Sequence, residues 1–142
     1  MLRHLLIALL LVAGGATLSC QSYSTGMQQS VARADETAAL AAILAISKAQ
    51  VTYSVSNNGS YGTFAQLVQS GSLDSRFSSE QPKVKGYVLT MTATAGSPPS
   101  YSVNADPEPT QAGRHFFLDS TSGLIHVNAS QPATASDPTT GS

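Results

Sequence analysis

The hydropathy period changes once along this chain, and that change limits what it can build. Over residues 35–55 the pattern is helical. Seven alanines fall from Ala34 to Ala49, with Leu40, Leu44 and Lys48 among them, all good helix formers. Asp35 and Glu36 place negative charge at the start, where the helix dipole favours it. At about 100° per residue, Leu40, Ile43, Leu44, Val51 and Val55 fall on one side, and Ile46 and Tyr53 widen the stripe. Such a helix needs a flat apolar partner. Asn57-Asn58-Gly59 ends it. A short second helix is predicted before Gly71, with Thr63 as its cap and Gln66 three residues on as in a capping box. Phe64, Leu67 and Val68 would face the core, with Leu73 and Phe77 tucked under the sheet.

From Tyr87 the period is two. Tyr87, Leu89, Met91 and Ala93 alternate with Val88, Thr90, Thr92 and Thr94, which reads as a half-buried strand with one threonine-lined wet face. Tyr101, Val103 and Ala105 alternate with Ser100, Ser102 and Asn104 in a second. Asp106-Pro107-Glu108-Pro109 interrupts, because proline cannot continue a ladder. Residues 115–119 and 124–128 flank Ser120-Thr121-Ser122-Gly123 as a hairpin. Pairing Phe116 with Val127 and Leu118 with Ile125 points all four to one side. His115, Phe117, His126 and Asn128 then share the other, and a slip of one residue would mix the faces. The fold class is therefore α+β: a long helix near the N-terminus packed on an antiparallel sheet of about four strands.

The ends are of a different kind. Arg3 and His4 precede an unbroken apolar run from Leu5 to Ala13, followed by Gly14, Gly15, Ala16 and Thr17. A basic start, a short apolar stretch and a small-residue exit read as a secretory signal over residues 1–19. The run is short of the ~20 residues a spanning helix needs. Cys20 stands where a bacterial lipoprotein signal places its lipidated cysteine. Cleavage after Ala16, leaving a free thiol, is the alternative. Residues 20–34 are small and polar and read as a tether that turns helical towards its end. Residues 129–142 hold no large apolar side chain and include Pro132 and Pro138, so a disordered tail is predicted. Roughly 95 residues remain for one modest core.

Composition narrows the function classes. Charged residues make up 11% and the formal net charge is −1, so no basic patch suits nucleic acid. A single cysteine excludes an internal disulfide. No Gly-x-Ser-x-Gly elbow, phosphate-binding loop or dinucleotide fingerprint is present. No cofactor or enzymatic activity is predicted. His115 and His126 are candidates for a metal pair, but zinc takes three or four ligands and the sequence places no third. Asp106, Glu108 and Asp119 offer oxygens to a hard cation, yet they stand where turns use such residues. Tyr53, Tyr61, Phe64, Tyr87 and Tyr101 read as core. Phe117, exposed between two histidines, marks a candidate contact face made of His115, Phe117, His126 and Asn128.

In order and spacing, the segments over residues 35–128 resemble the globular domain of type IV pilins and type II secretion pseudopilins. These are Ala41-Ala42-Ile43-Leu44-Ala45-Ile46-Ser47-Lys48-Ala49-Gln50-Val51-Thr52-Tyr53, Gly59-Ser60-Tyr61 with Phe64-Ala65-Gln66-Leu67, Lys85-Gly86-Tyr87, Tyr101-Ser102-Val103-Asn104-Ala105-Asp106-Pro107, Gly113-Arg114-His115-Phe116-Phe117-Leu118-Asp119 and Gly123-Leu124-Ile125. The resemblance implies the pilin-like fold. The chain departs from the family at its start: no glutamate lies in or just after the apolar run, which is also shorter than the family's. The family's acidic calcium loop and disulfide loop are missing too. The expected protein is a non-enzymatic component of the bacterial cell envelope, facing the periplasm or the outside. A lipid on Cys20 would hold it to a membrane, and its partners would be envelope, pilus or secretion proteins. The alternative is a soluble periplasmic or secreted module that binds a ligand or metal through His115, Phe117 and His126.

Overall fold

The computed structural model describes residues 18–141. The signal reading falls on residues 1–17 and a few beyond; residues 1–17, like the side chain of Cys20, lie outside the described residues. The chain divides by compactness after Val31. The described residues of the first unit are all helical and belong to α1 (Leu18–Ser56), which continues into the second. Residues 20–34, read as a tether, are helical throughout and not only towards their end. Once a helix is nucleated, each added residue gains a hydrogen bond at little further cost, and the Met, Gln, Ala and Arg of this stretch propagate it well.

In the second unit α1 is followed by α2 (Phe64–Gln69), a 3₁₀ turn (Ser75–Phe77) and five strands: β1 (Lys83–Val84), β2 (Tyr87–Thr94), β3 (Ser100–Pro107), β4 (His115–Asp119) and β5 (Ile125–Asn128). All pair antiparallel in the order β1-β2-β3-β4-β5. The sheet has one strand more than predicted, the two-residue β1. The fold is α+β, a long helix packed on an antiparallel sheet, and this architecture is compatible with a pilin-like domain.

The helix buries a different face from the one predicted. Ala39, Ala42, Ile43, Ile46 and Ala49 are buried, whereas Leu44, Val51 and Val55 are exposed, Val55 at 82%. Size explains the rotation. Alanines at 39, 42 and 49 share the buried face with Ile43 and Ile46, which join Tyr87, Leu89, Val103, Ala105, Phe116 and Leu118 in one continuous core. Turning the leucine and valine stripe inward would hold the layers apart.

Gln50 completes this face, and no apolar scale selects it. Its side chain is fully buried. Its Nε2 donates to the Gly62 carbonyl at 2.7 Å, and its Oε1 accepts from the Gly62 amide at 2.9 Å. The segment after α1 therefore has both backbone groups of Gly62 satisfied by one side chain. The helix ends as predicted, with Gly59 at φ +81° donating to Ser54. The capping box of α2 also forms: Thr63 Oγ1 accepts from the Gln66 amide, and Gln66 Oε1 accepts from the Thr63 amide at 2.8 Å.

The hairpin register is the predicted one, with Phe116 opposite Val127 and Leu118 opposite Ile125. Two rows of side chains therefore cross the inner face, Leu89-Ala105-Phe116-Val127 and Met91-Val103-Leu118-Ile125. The start of the buried helix face is tied to the same sheet by charge. Arg114 makes a forked pair with Glu36, Nη2 to Oε2 at 2.8 Å, and its amide donates to Glu36 Oε1 at 3.0 Å. Gln111 donates to Asp35. Tyr87 Oη donates to the Arg114 carbonyl and lies 2.2 Å from where a Cβ on Gly113 would stand, so only glycine fits there.

The C-terminal residues, predicted to be disordered, instead lie along β5 and over the sheet. The Val127 amide donates to the Pro138 carbonyl at 2.8 Å, the Thr140 amide to the Ile125 carbonyl at 2.9 Å, and His126 and Thr139 form a bridge. Ala133 is buried. The segment gains order from the unpaired edge of β5 and from polar side chains beneath it, neither of which its own composition reveals.

Replacing Gln50 by Leu is expected to cost about 2–3 kcal/mol, because both Gly62 groups lose their partner. Val55→Ser should change stability by under about 0.5 kcal/mol. Urea unfolding midpoints check both. Burial of Glu36 raises its pKa, but hydrogen bonds and charge from Arg114 outweigh this and hold it below the ordinary value. A depressed folded-state pKa stabilises above the unfolded value and is lost as pH falls through the folded one. Acid unfolding of the Glu36→Gln variant should therefore lack part of the pH dependence below about pH 4.5.

Candidate functional site

The outward face of the sheet is a grid set by the strand register. One row runs Thr92-Ser102-Asp119 across β2, β3 and β4. The next runs Thr90-Asn104-Phe117-His126 across β2 to β5. Beyond it, Asp106 meets His115, which pairs with Asn128. His115, Phe117, His126 and Asn128 thus share a face, as predicted.

Half of that face is not open. Residues 129–141 form a strap across it. Asn104 Nδ2 donates to the Ala133 carbonyl at 3.0 Å, and Asn128 Nδ2 to Asp137 Oδ1 at 2.8 Å. His126 Nδ1 lies 2.6 Å from the Asp137 carbonyl oxygen. A carbonyl only accepts, so Nδ1 carries the proton. His126 is 7% exposed, and its Nε2 is buried without a hydrogen-bond partner among the described residues. Asp137 in turn accepts from the Thr134 amide and hydroxyl through Oδ2. The predicted contact face is corrected accordingly: His126 and Asn128 hold the strap, and Phe117 is half-buried, its ring 6.2 Å from that of His126.

The two histidines are not brought together as ligands. His115 Nδ1 is paired with Asp106 at 2.6 Å, and His126 Nδ1 with the strap. Among the described residues no group of three or more His, Cys, Asp or Glu is placed to hold a metal. Glu108 pairs with Lys83. Asp119 closes the β4–β5 loop: its Oδ1 accepts from the amides of Thr121 and Ser122 and from the Ser122 hydroxyl, at 2.7–3.0 Å. The Ser122 amide lowers its pKa most, against the opposing effect of burial, and the carboxylate stays ionised at neutral pH.

Beside the strap the face opens into a shallow groove of about 240 Å³, lined among others by Thr92, Thr94, Ser100, Ser102, Phe117 and Asp119. The alternation of Thr and Ser along β2 and β3 foreshadows its wet lining. That Phe117 and Asp119 wall it depends on the register of three strands. The aromatics predicted to be core are so placed: Phe64, Tyr87 and Tyr101 are buried, while Tyr53 and Tyr61 pack against the core from its margin.

The helix over Ser24–Ser56 is long and apolar enough to cross a membrane by length and composition, although one of its faces serves the core. This is compatible with a signal or anchor region near the N-terminus.

The strap yields a specific expectation. Asp137 is held below the ordinary carboxylate value, chiefly by the Thr134 amide and then by Asn128. Its contribution is present above the unfolded pKa and is lost as pH falls through the folded one. Asp137→Ala should accelerate hydrogen exchange at the Val127 and Thr140 amides while leaving those of β2 and β3 unchanged. Wild-type protein should show the same selective loosening on acidification. Residue-resolved exchange followed by NMR reads both. Compared with known protein families, with curated proteins and with solved structures, the chain finds no match.

Proposed function

We propose that this chain is an exported, lipid-anchored, non-enzymatic component of the bacterial cell envelope, whose pilin-like domain makes contacts with neighbouring envelope, pilus or secretion proteins. The observation that carries this reading is the alanine-faced helix lying on a consecutively ordered antiparallel sheet, the layering that the resemblance implies. The basic, apolar and small-residue sequence leading to Cys20 supports export and acylation. Each buried methylene of an acyl chain contributes about 0.8 kcal/mol, so two or three chains would hold the protein firmly to a bilayer.

The geometry favours contact over chemistry. The histidines, carboxylates and buried tyrosine hydroxyls described above are engaged in holding strands, loops and the strap. Tyr101 Oη, for example, bonds to Ser47 Oγ at 3.1 Å and joins β3 to α1. Burial pushes the Tyr87 phenol up to about 12, so it remains a neutral donor to its carbonyl.

Intact mass of the protein recovered from membrane and soluble fractions tests the anchor. The expected species begins at an acylated Cys20 and is found in the membrane fraction, and Cys20→Ser moves the protein to the soluble fraction. A soluble, unmodified chain starting after Ala16 would overturn the anchor. Recovery as a stoichiometric subunit of purified pili, with its N-terminal segment intact, would overturn the contact role.

A further inference from the structure

We propose that the open groove on the outer sheet face binds a neutral saccharide ring, with Phe117 as the platform and Asp119, Ser102 and Thr92 as the hydrogen-bonding row. The inference does not rest on the anchoring of the chain.

Three features of the groove converge on that ligand class. The first is the row itself. Thr92, Ser102 and Asp119 are direct neighbours across three strands. Adjacent strands lie about 4.8 Å apart. Groups so spaced meet hydroxyls on different carbons of one ring. Among the described residues the hydroxyls of Thr92 and Ser102 have no hydrogen-bond partner, and Asp119 offers a free Oδ2 because its three internal bonds all fall on Oδ1. The second feature is the aromatic. Phe117 stands one row along on β4, lines the groove, and has the His126 ring beside it at 6.2 Å, itself hydrogen-bonded to the strap. A half-buried ring flanked by a second ring presents its exposed part to the C–H face of a sugar with little side-chain freedom to lose on binding. The third is size: about 240 Å³ is below the range of drug-sized pockets and suits a single ring.

The same features disfavour other ligands. Among the described residues no lysine or arginine lines the groove, and ionised Asp119 repels anions. One carboxylate among hydroxyls falls short of the six to eight oxygens that calcium takes. An apolar ligand would strand the threonine and serine hydroxyls without water.

The test is NMR titration of the full processed chain with glucose, galactose, N-acetylglucosamine and the β-1,4-linked trimers of glucose and of N-acetylglucosamine, followed at backbone amides. The expected result is saturable shifts at Ser102, Phe117 and Asp119 in the millimolar range with at least one sugar. Phe117→Leu should weaken binding about tenfold. Thr92→Val, at an exposed strand position, should weaken it at an unchanged melting temperature, and this decides the matter if the Phe117 variant does not fold. Absence of shifts with every sugar, shifts confined to another surface, or undiminished affinity in both variants would overturn the proposal. So would shifts at Asp119 with calcium chloride alone and none with sugars.

Discussion

The face that α1 turns to the sheet is the constraint on which the rest of the domain depends. Alanine at 39, 42 and 49 removes side-chain bulk where the two layers meet, and Ile43 and Ile46 fill the space that remains. With that face inward Gln50 reaches Gly62, Ser47 reaches Tyr101, and Glu36 reaches Arg114. Each of these polar links spans from the helix to a later segment. Burial of apolar surface supplies the bulk of the driving force, while these links fix which helix rotation is adopted.

A second consequence follows on the other side of the sheet. A helix covers only the inner face, so the outer face and the β5 edge are left with polar side chains and unpaired backbone groups. The chain solves this with its own C-terminus. The strap pairs with the edge of β5 and roofs Asn104, His126 and Asn128, blunting an edge that would otherwise invite another strand. It buries little apolar surface, Ala133 being its one fully covered hydrophobic residue, and is held by hydrogen bonds that centre on Asp137. The strap also divides the outer face in two, a roofed half around His126 and an open half around Ser102.

Much of the framework was legible in the residues alone. The switch from helical to two-residue periodicity located α1 and the strands. Phe116, Leu118, Ile125 and Val127 determined the hairpin register, since only one pairing puts all four on the same side. Thr63 and Gln66 announced a capping box that forms. These features are local: each is decided by residues within a turn or a hairpin of one another. The helix rotation was misread because a hydrophobicity scale gives weight to Leu44 and Val55 over Ala39 and Ala42, whereas the buried face is lined by these small residues.

The sequence by itself therefore determined the class of fold, the strand alternation and the polar character of the outer face, because these arise from periodicity and short-range sterics. Tertiary structure decided the face of α1 that is buried, the use of Gln50 as a lock, the ordering of residues 129–141 and the meeting of Phe117 with Asp119, Ser102 and Thr92. All of these depend on groups distant in the chain finding complementary shape or an unsatisfied partner. No local pattern encodes that complementarity before the layers have packed.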